Sequence, residues 1–134
     1  MNNPLSPEDT VFDQTVLAEL VGTLDARTLV SYYGIFVEQT APILTVFAAS
    51  IEQHNFKDIE ALAHKLKSSA FSVGARPLGR ILEEVEMACR SGHPDSLAHL
   101  VPEALRLTTQ TLTQIEAFKL TLEGLESATP TTQD

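Results

Sequence analysis

Residues 61–75 read ALAHKLKSSAFSVGA, a proline-free run of small and apolar residues with a glycine near its end. Apolar residues recur through and around it at helical spacing. Ile59, Leu62, Leu66, Ala70 and Val73 fall within about 80° of one another at 100° per residue, which makes them the expected buried stripe of a helix over residues 56–73. His64 lies roughly 160° from the centre of that stripe and is expected to face water. Lys67 follows one turn later on the same side, where its ammonium can reach a group attached to the imidazole. Lys57, Glu60, Ser68 and Phe71 share this outward face, and Ala61, Ser68 and Ser72 are small enough to let another surface approach. With Lys65 they form a candidate partner-binding surface around the histidine. Phe71 reads equally as an exposed contact or as a ring tucked sideways against the next helix.

Outward from this stretch the signals stay helical. Asn55 and Asp58 form a capping pair at the start of the helix, Gly74 stands just past its end, and Pro77 sits in the first turn of the next. A short helix is expected from Asp13 to Gly22. Asp25 caps a second one running through ARTLVSYYGIFVEQTAPILTVFAASIEQH, in which Pro42 should kink or split the helix near Thr40 and Ala41. LGRILEEVEMACR closes at Gly92, and Pro94 opens the last helix, which Pro102 either bends or marks as a false start. No segment alternates as a strand does. Four substantial amphipathic helices with short connections predict an all-α, antiparallel four-helix bundle with a short additional N-terminal helix. The bundle is expected over residues 11–125, with flexible segments at 1–10 and 126–134. Leu17, Leu20, Leu29, Phe36 and Val37 read as core or its edge, and of Tyr32 and Tyr33 one should be inward and one at the boundary.

A chain of 134 residues is one domain, large enough to build a core without disulfides or metals. Its hydrophobic share of 43% and charged share of 20% are those of a globular protein. There is no unbroken run of 18 apolar residues to predict a membrane span. The start, MNNPLSPEDT, lacks the pattern of a secretory signal. The single Cys89 has no internal partner and reads as a small buried or half-buried residue. These features together point to the cytoplasm. A net charge of −9 argues against nucleic acid or an anionic membrane as partner. Yet Lys57, Lys65, Lys67, Arg76 and Arg80, five of the nine basic residues, fall in one short span about His64. That clustering fits either a small anionic target or a solvated helix face. His54, His93 and His99 lack the pairing a helical metal site needs, and no inward His/Glu pairs suggest a cofactor bundle. Glu83, Glu84 and Glu86 read as an acidic run on a solvated face.

The chemistry open to an exposed imidazole beside a lysine is narrow. At neutral pH much of an ordinary imidazole is uncharged, and a ring nitrogen can attack a phosphoryl group in line while nearby positive charge steadies its oxygens. The run AHKLKSSAFSVGA resembles the motif H-x-L-K-G-S/A-S/A-x-x-x-G of histidine-containing phosphotransfer (HPt) domains, with His64, Leu66, Lys67, Ser69, Ala70 and Gly74 in register. The similarity extends over roughly residues 13–122, through FVEQTAPIL, HNFKDIEALAHKLK and RPLGRILEEVEMACRSG. The resemblance implies a four-helix bundle in which His64 accepts a phosphoryl group, through Nε2, from a receiver-domain aspartate and passes it to another. It casts Lys67 as electrostatic support, and Leu66 and Gly74 as structural. Ser68 departs from the pattern, which most often has glycine there, and a mild effect on rate or partner choice is expected. No phosphate-binding loop, glycine-rich lid or aspartate cluster for Mg²⁺ is present. Hence neither autonomous kinase activity nor an intrinsic cofactor is expected, and Mg²⁺ belongs to the receiver partner. The implied partners are receiver domains of response regulators or a hybrid sensor histidine kinase, served by a monomer. The competing reading is a docking module whose His64 is never phosphorylated.

Overall fold

Caps and a proline set the helix boundaries. The computed structural model describes residues 10–128, which form six α-helices and a short 3-10 turn. These are α1 (Val16–Val21), α2 (Ala26–Thr40), α3 (Ile43–Glu52), α4 (Phe56–Ser72), α5 (Arg76–Arg90) and α6 (Leu97–Ala128). The Asp25 carboxylate accepts the Thr28 amide at 3.0 Å and so opens α2. Asn55 does the same for α4, accepting from the Asp58 amide and donating to the Asp58 carboxylate at 2.7 Å. Pro42 splits the long second helix as expected. Ala41 and Pro42 nevertheless keep helical torsions, and the Val46 amide reaches the Pro42 carbonyl at 2.8 Å. α2 and α3 therefore run as one kinked arm. The turn Pro94–Ser96 leads into α6, which passes through Pro102 without a break.

The α2–α3 arm, α4, α5 and α6 are the four members of the bundle, and α4 and α5 form its most extensively packed pair. α1 packs against α4. Tyr33, Phe36, Ile43, Phe47, Ile59, Leu66, Leu82 and Ile115 fill the centre. Phe12 and Phe118 meet the Tyr33 ring at 6.0 and 5.7 Å, in edge-to-face geometry. Tyr32 is the outer tyrosine. Leu20, expected at the core or its edge, is 64% exposed. α1 is too short to bury more than the flank carrying Leu17 and Ala18. α6 continues past Leu125 to Ala128, beyond the boundary expected for the domain, while residues 1–9 and 129–134 lie outside the described part. By length and hydropathy alone Ala26–Glu52 is apolar enough to cross a membrane. Its kink, and the inward turn of Leu29, Tyr33, Phe36, Ile43 and Phe47, are those of a core helix instead.

Gly74 ties the N-terminal segment to the α4–α5 corner. Its φ of +85° lies in the left-handed region, and a Cβ there would stand 2.3 Å from the Asp13 carbonyl oxygen. The Asp13 amide in turn donates to the Gly74 carbonyl at 2.9 Å, which leaves the two backbones no room to part. Gly74→Ala is expected to cost about 2–3 kcal/mol, the torsional strain plus displacement of this segment. Urea or thermal unfolding measures it. A loss below about 1 kcal/mol would mean that the segment moves aside freely.

Candidate functional site

The buried face of α4 is turned from its expected position. Ile59, Ala63, Leu66 and Ala70 are its fully buried residues, whereas Leu62 is only half-buried. This places the stripe about 130° from His64 rather than opposite it. His64 consequently leans toward α5 while its side chain stays 60% exposed.

On α5 it meets a residue read from sequence as part of a solvated acidic run. Glu86 is 1% exposed, whereas Glu83 and Glu84 face water. Its phase explains the difference: Glu86 stands four residues after Leu82 and seven after Gly79, both buried, and so occupies the inward side of α5. The sequence carries that periodicity, although three acids so close together read first as one solvated run. Oε2 of Glu86 lies 2.7 Å from Nδ1 of His64 and 2.8 Å from a guanidinium nitrogen of Arg90. Oε1 lies 2.7 Å from the Lys67 ammonium. Nε of Arg90 reaches Glu60 at 3.0 Å, joining α4 and α5 across the site. Positive partners are what make a buried carboxylate tolerable here. The Lys67 ammonium holds the Glu86 carboxyl below the usual range. Burial acts against it, and the His64 hydrogen bond and Arg90 add to the lowering.

An ionised carboxylate only accepts hydrogen bonds. The contact therefore assigns the proton of a neutral His64 ring to Nδ1 and leaves the lone pair on Nε2, the nitrogen not engaged by Glu86.

Around the histidine, Lys57, Ala61, Lys65 and Ser68 are exposed. Glu60 is half-buried and tied to Arg90. Ser72 is half-buried too, its hydroxyl donating to the Ser68 carbonyl at 2.9 Å. Phe71 resolves toward the sideways arrangement. A Cβ on Gly79 would meet its ring at 2.8 Å, and 37% of the residue stays exposed. Met87, 62% exposed, shares a hollow with Lys67, Glu86 and Arg90 and was not anticipated. A second hollow of about 300 Å³ is lined by Lys57, Glu60, Ala61, His64 and Arg90. Arg76 and Arg80 do not join these hollows. They line a separate groove with Phe12, Asp13 and Phe118, so the basic cluster of the sequence divides in two. Cys89 is half-buried, and burial pushes its thiol pKa up, away from reactivity. Among the described residues no three His, Cys, Asp or Glu side chains gather as a metal site would need.

The family model for the Hpt domain matches residues 31–128. The chain belongs to the Hpt domain family. It is a histidine phosphotransfer protein of phosphorelays, a carrier class that works with receiver domains and kinases. Its fold is similar to that of histidine-containing phosphotransfer protein B (HptB) from Pseudomonas aeruginosa PAO1. The TM-score is 0.74 over 87% of this chain and 97% of that one, at 19% identity. No curated protein sequence matches the chain. As in the expectation for an Hpt domain, the described residues form an all-helical bundle, and the helix bearing the H-x-L-K run is its α4.

Proposed function

We propose that His64 accepts a phosphoryl group on Nε2 from the aspartyl phosphate of one receiver domain and passes it to the aspartate of another. The contact between Nδ1 and the buried, ionised Glu86 carries this reading, because it directs the ring's lone pair to the other nitrogen. In uptake, the Nε2 lone pair forms the N–P bond as the O–P bond of the aspartyl phosphate breaks, its electron pair returning to the carboxylate. The ring keeps its proton on Nδ1, and Glu86 offsets the positive charge that the ring gains. In delivery the same atoms move in reverse, and the ring leaves as neutral imidazole rather than as a poor anionic leaving group.

The domain supplies a nucleophile and a fit, while the receiver supplies Mg²⁺ and its acidic pocket. It holds no cofactor of its own and does not phosphorylate itself. Lys57, Glu60, Ala61, Lys65, Ser68, Phe71 and Ser72 form the docking surface on α4, extended on α5 by Met87. A monomer in the cytoplasm suits a carrier that shows one face to successive partners.

Incubation with phosphoramidate tests the reading. Intact mass should rise by one phosphate, labile in acid and stable in base. A folded protein that takes up none leaves only the docking module. Ser68→Gly probes the departure from the motif. Ser68 is exposed on the flank away from Glu86, so the uptake rate should change by no more than about threefold, and stability should fall by about 0.5 kcal/mol from the added glycine. A larger gain in rate would mean that the serine crowds the ring.

A further inference from the structure

Lys67 is already engaged before any phosphate arrives. Its ammonium is 2.7 Å from Oε1 of Glu86, and its side chain is 26% exposed. The other carboxylate oxygen holds both His64 and Arg90. A phosphoryl group on Nε2 would bring close to two negative charges to the ring nitrogen away from Glu86. Lys67, a point charge on a flexible stem, is the cation that can swing between the two anions. A buried carboxylate stripped of its counter-ion is costly, however, so Lys67 can leave Oε1 only if another cation remains.

We propose that Arg90 is a positioning residue for phosphotransfer: by staying on Glu86 it frees Lys67 to leave Oε1 and pair with the phosphoryl group on His64. This rests on His64 being the acceptor. Arg90 suits the part because its guanidinium is bound at two points, Nε to Glu60 at 3.0 Å and a terminal nitrogen to Glu86 at 2.8 Å. The rigid fork spans two helices, which a lysine ammonium does not. Glu60 thereby orients Arg90 and so acts on His64 only at second hand. The hand-off of Lys67 breaks no covalent bond. It accompanies loading: the Nε2–P bond forms as the O–P bond of an aspartyl phosphate breaks and the carboxylate takes the electron pair or, with phosphoramidate as donor, as its N–P bond breaks and ammonia departs with the pair.

The test loads the protein with phosphoramidate while following the Lys67 side-chain ammonium by ¹⁵N NMR and uptake by intact mass. The Lys67 resonance should move as phosphate is gained. In Arg90→Ala it should move less, and uptake should slow about tenfold, the lower end of what removing a supporting partner costs behind a metal-ligating histidine. Arg90→Lys, which keeps a cation near Glu86 but loses the second tie to Glu60, should recover part of that rate. In a Lys67→Ala background, removing Arg90 should cost little more, because its effect runs through Lys67. Equal rate losses from Arg90→Ala in both backgrounds would show a merely structural arginine and overturn the proposal. So would a Lys67 resonance that stays put while wild-type protein gains its phosphate, and this outcome leaves the carrier reading standing. A folded wild type that gains no phosphate overturns both.

Discussion

His64→Gln takes up no phosphate from phosphoramidate or from a phosphorylated receiver, and its unfolding free energy stays within about 1 kcal/mol of wild type. The two halves of this expectation rest on different atoms. An amide nitrogen has its lone pair delocalised into the carbonyl and does not attack phosphorus, so no residual uptake remains. The same amide nitrogen can still donate toward Oε2 of Glu86, where Nδ1 now sits at 2.7 Å, so the buried carboxylate is not left short of a partner. The side chain is also 60% exposed, and little apolar packing depends on it. Intact mass reads the first half and thermal unfolding the second. Receiver affinity, measured by calorimetry, should fall by no more than a few-fold, since the docking surface lies mainly on neighbouring residues. Phosphate retained by the glutamine protein would place the acceptor elsewhere. Phosphate absent from wild type and variant alike, with receiver binding intact, would make the domain a docking module.

Much of this arrangement was legible one helix at a time. Asn55 with Asp58, Gly74 and Pro42 are local signals, and each acts where the sequence places it. Apart from the inward phase of Glu86, which α5 alone carries, what escaped depends on two helices at once. The helix wheel of α4 weighted Leu62 over Ala63 because leucine is the larger hydrophobe. Yet Ala63 is completely buried, on the flank nearer α5, and Leu62 is pushed to the edge. Gly79 and the Phe71 ring that rests on it belong to the same close packing of α4 and α5. That shift brings His64 within reach of Glu86. Arg90 illustrates the limit further: alone it reads as a basic residue at a helix C-terminus, and its bonds to Glu60 and Glu86 exist only once α5 lies against α4.

Glu86→Gln is expected to slow phosphoryl uptake about 10- to 100-fold, although every atom position is nearly conserved. The carboxylate offers an acceptor on both sides, to Lys67 at Oε1 and to His64 and Arg90 at Oε2. An amide has one acceptor and one donor, so either orientation turns an N–H₂ toward a cation. With the oxygen kept beside Lys67, the amide nitrogen faces Nδ1 and favours the tautomer that carries its proton on Nε2, the wrong nitrogen for attack. With the oxygen facing Nδ1, Lys67 loses its partner, and the positive charge the ring gains on phosphorylation has no buried anion to offset it. The variant should also be less stable by about 1–3 kcal/mol at neutral pH. The sign of its pH dependence follows from a carboxyl lowered mainly by Lys67. Stabilisation from such a group is fully present above the unfolded value, about pH 4.3, and fades as pH falls through the lower folded value. The stability gap between wild type and Glu86→Gln should therefore be constant from about pH 5 upward and close in acid. Stopped-flow or mass-resolved uptake and urea unfolding across pH measure the two effects independently. A glutamine variant that matched the wild-type rate while showing the stability gap would make Glu86 a structural anchor and leave tautomer control to some other contact of the ring. A variant slowed without the gap would separate the opposite way, with the carboxylate acting on the ring's chemistry at no cost to the fold.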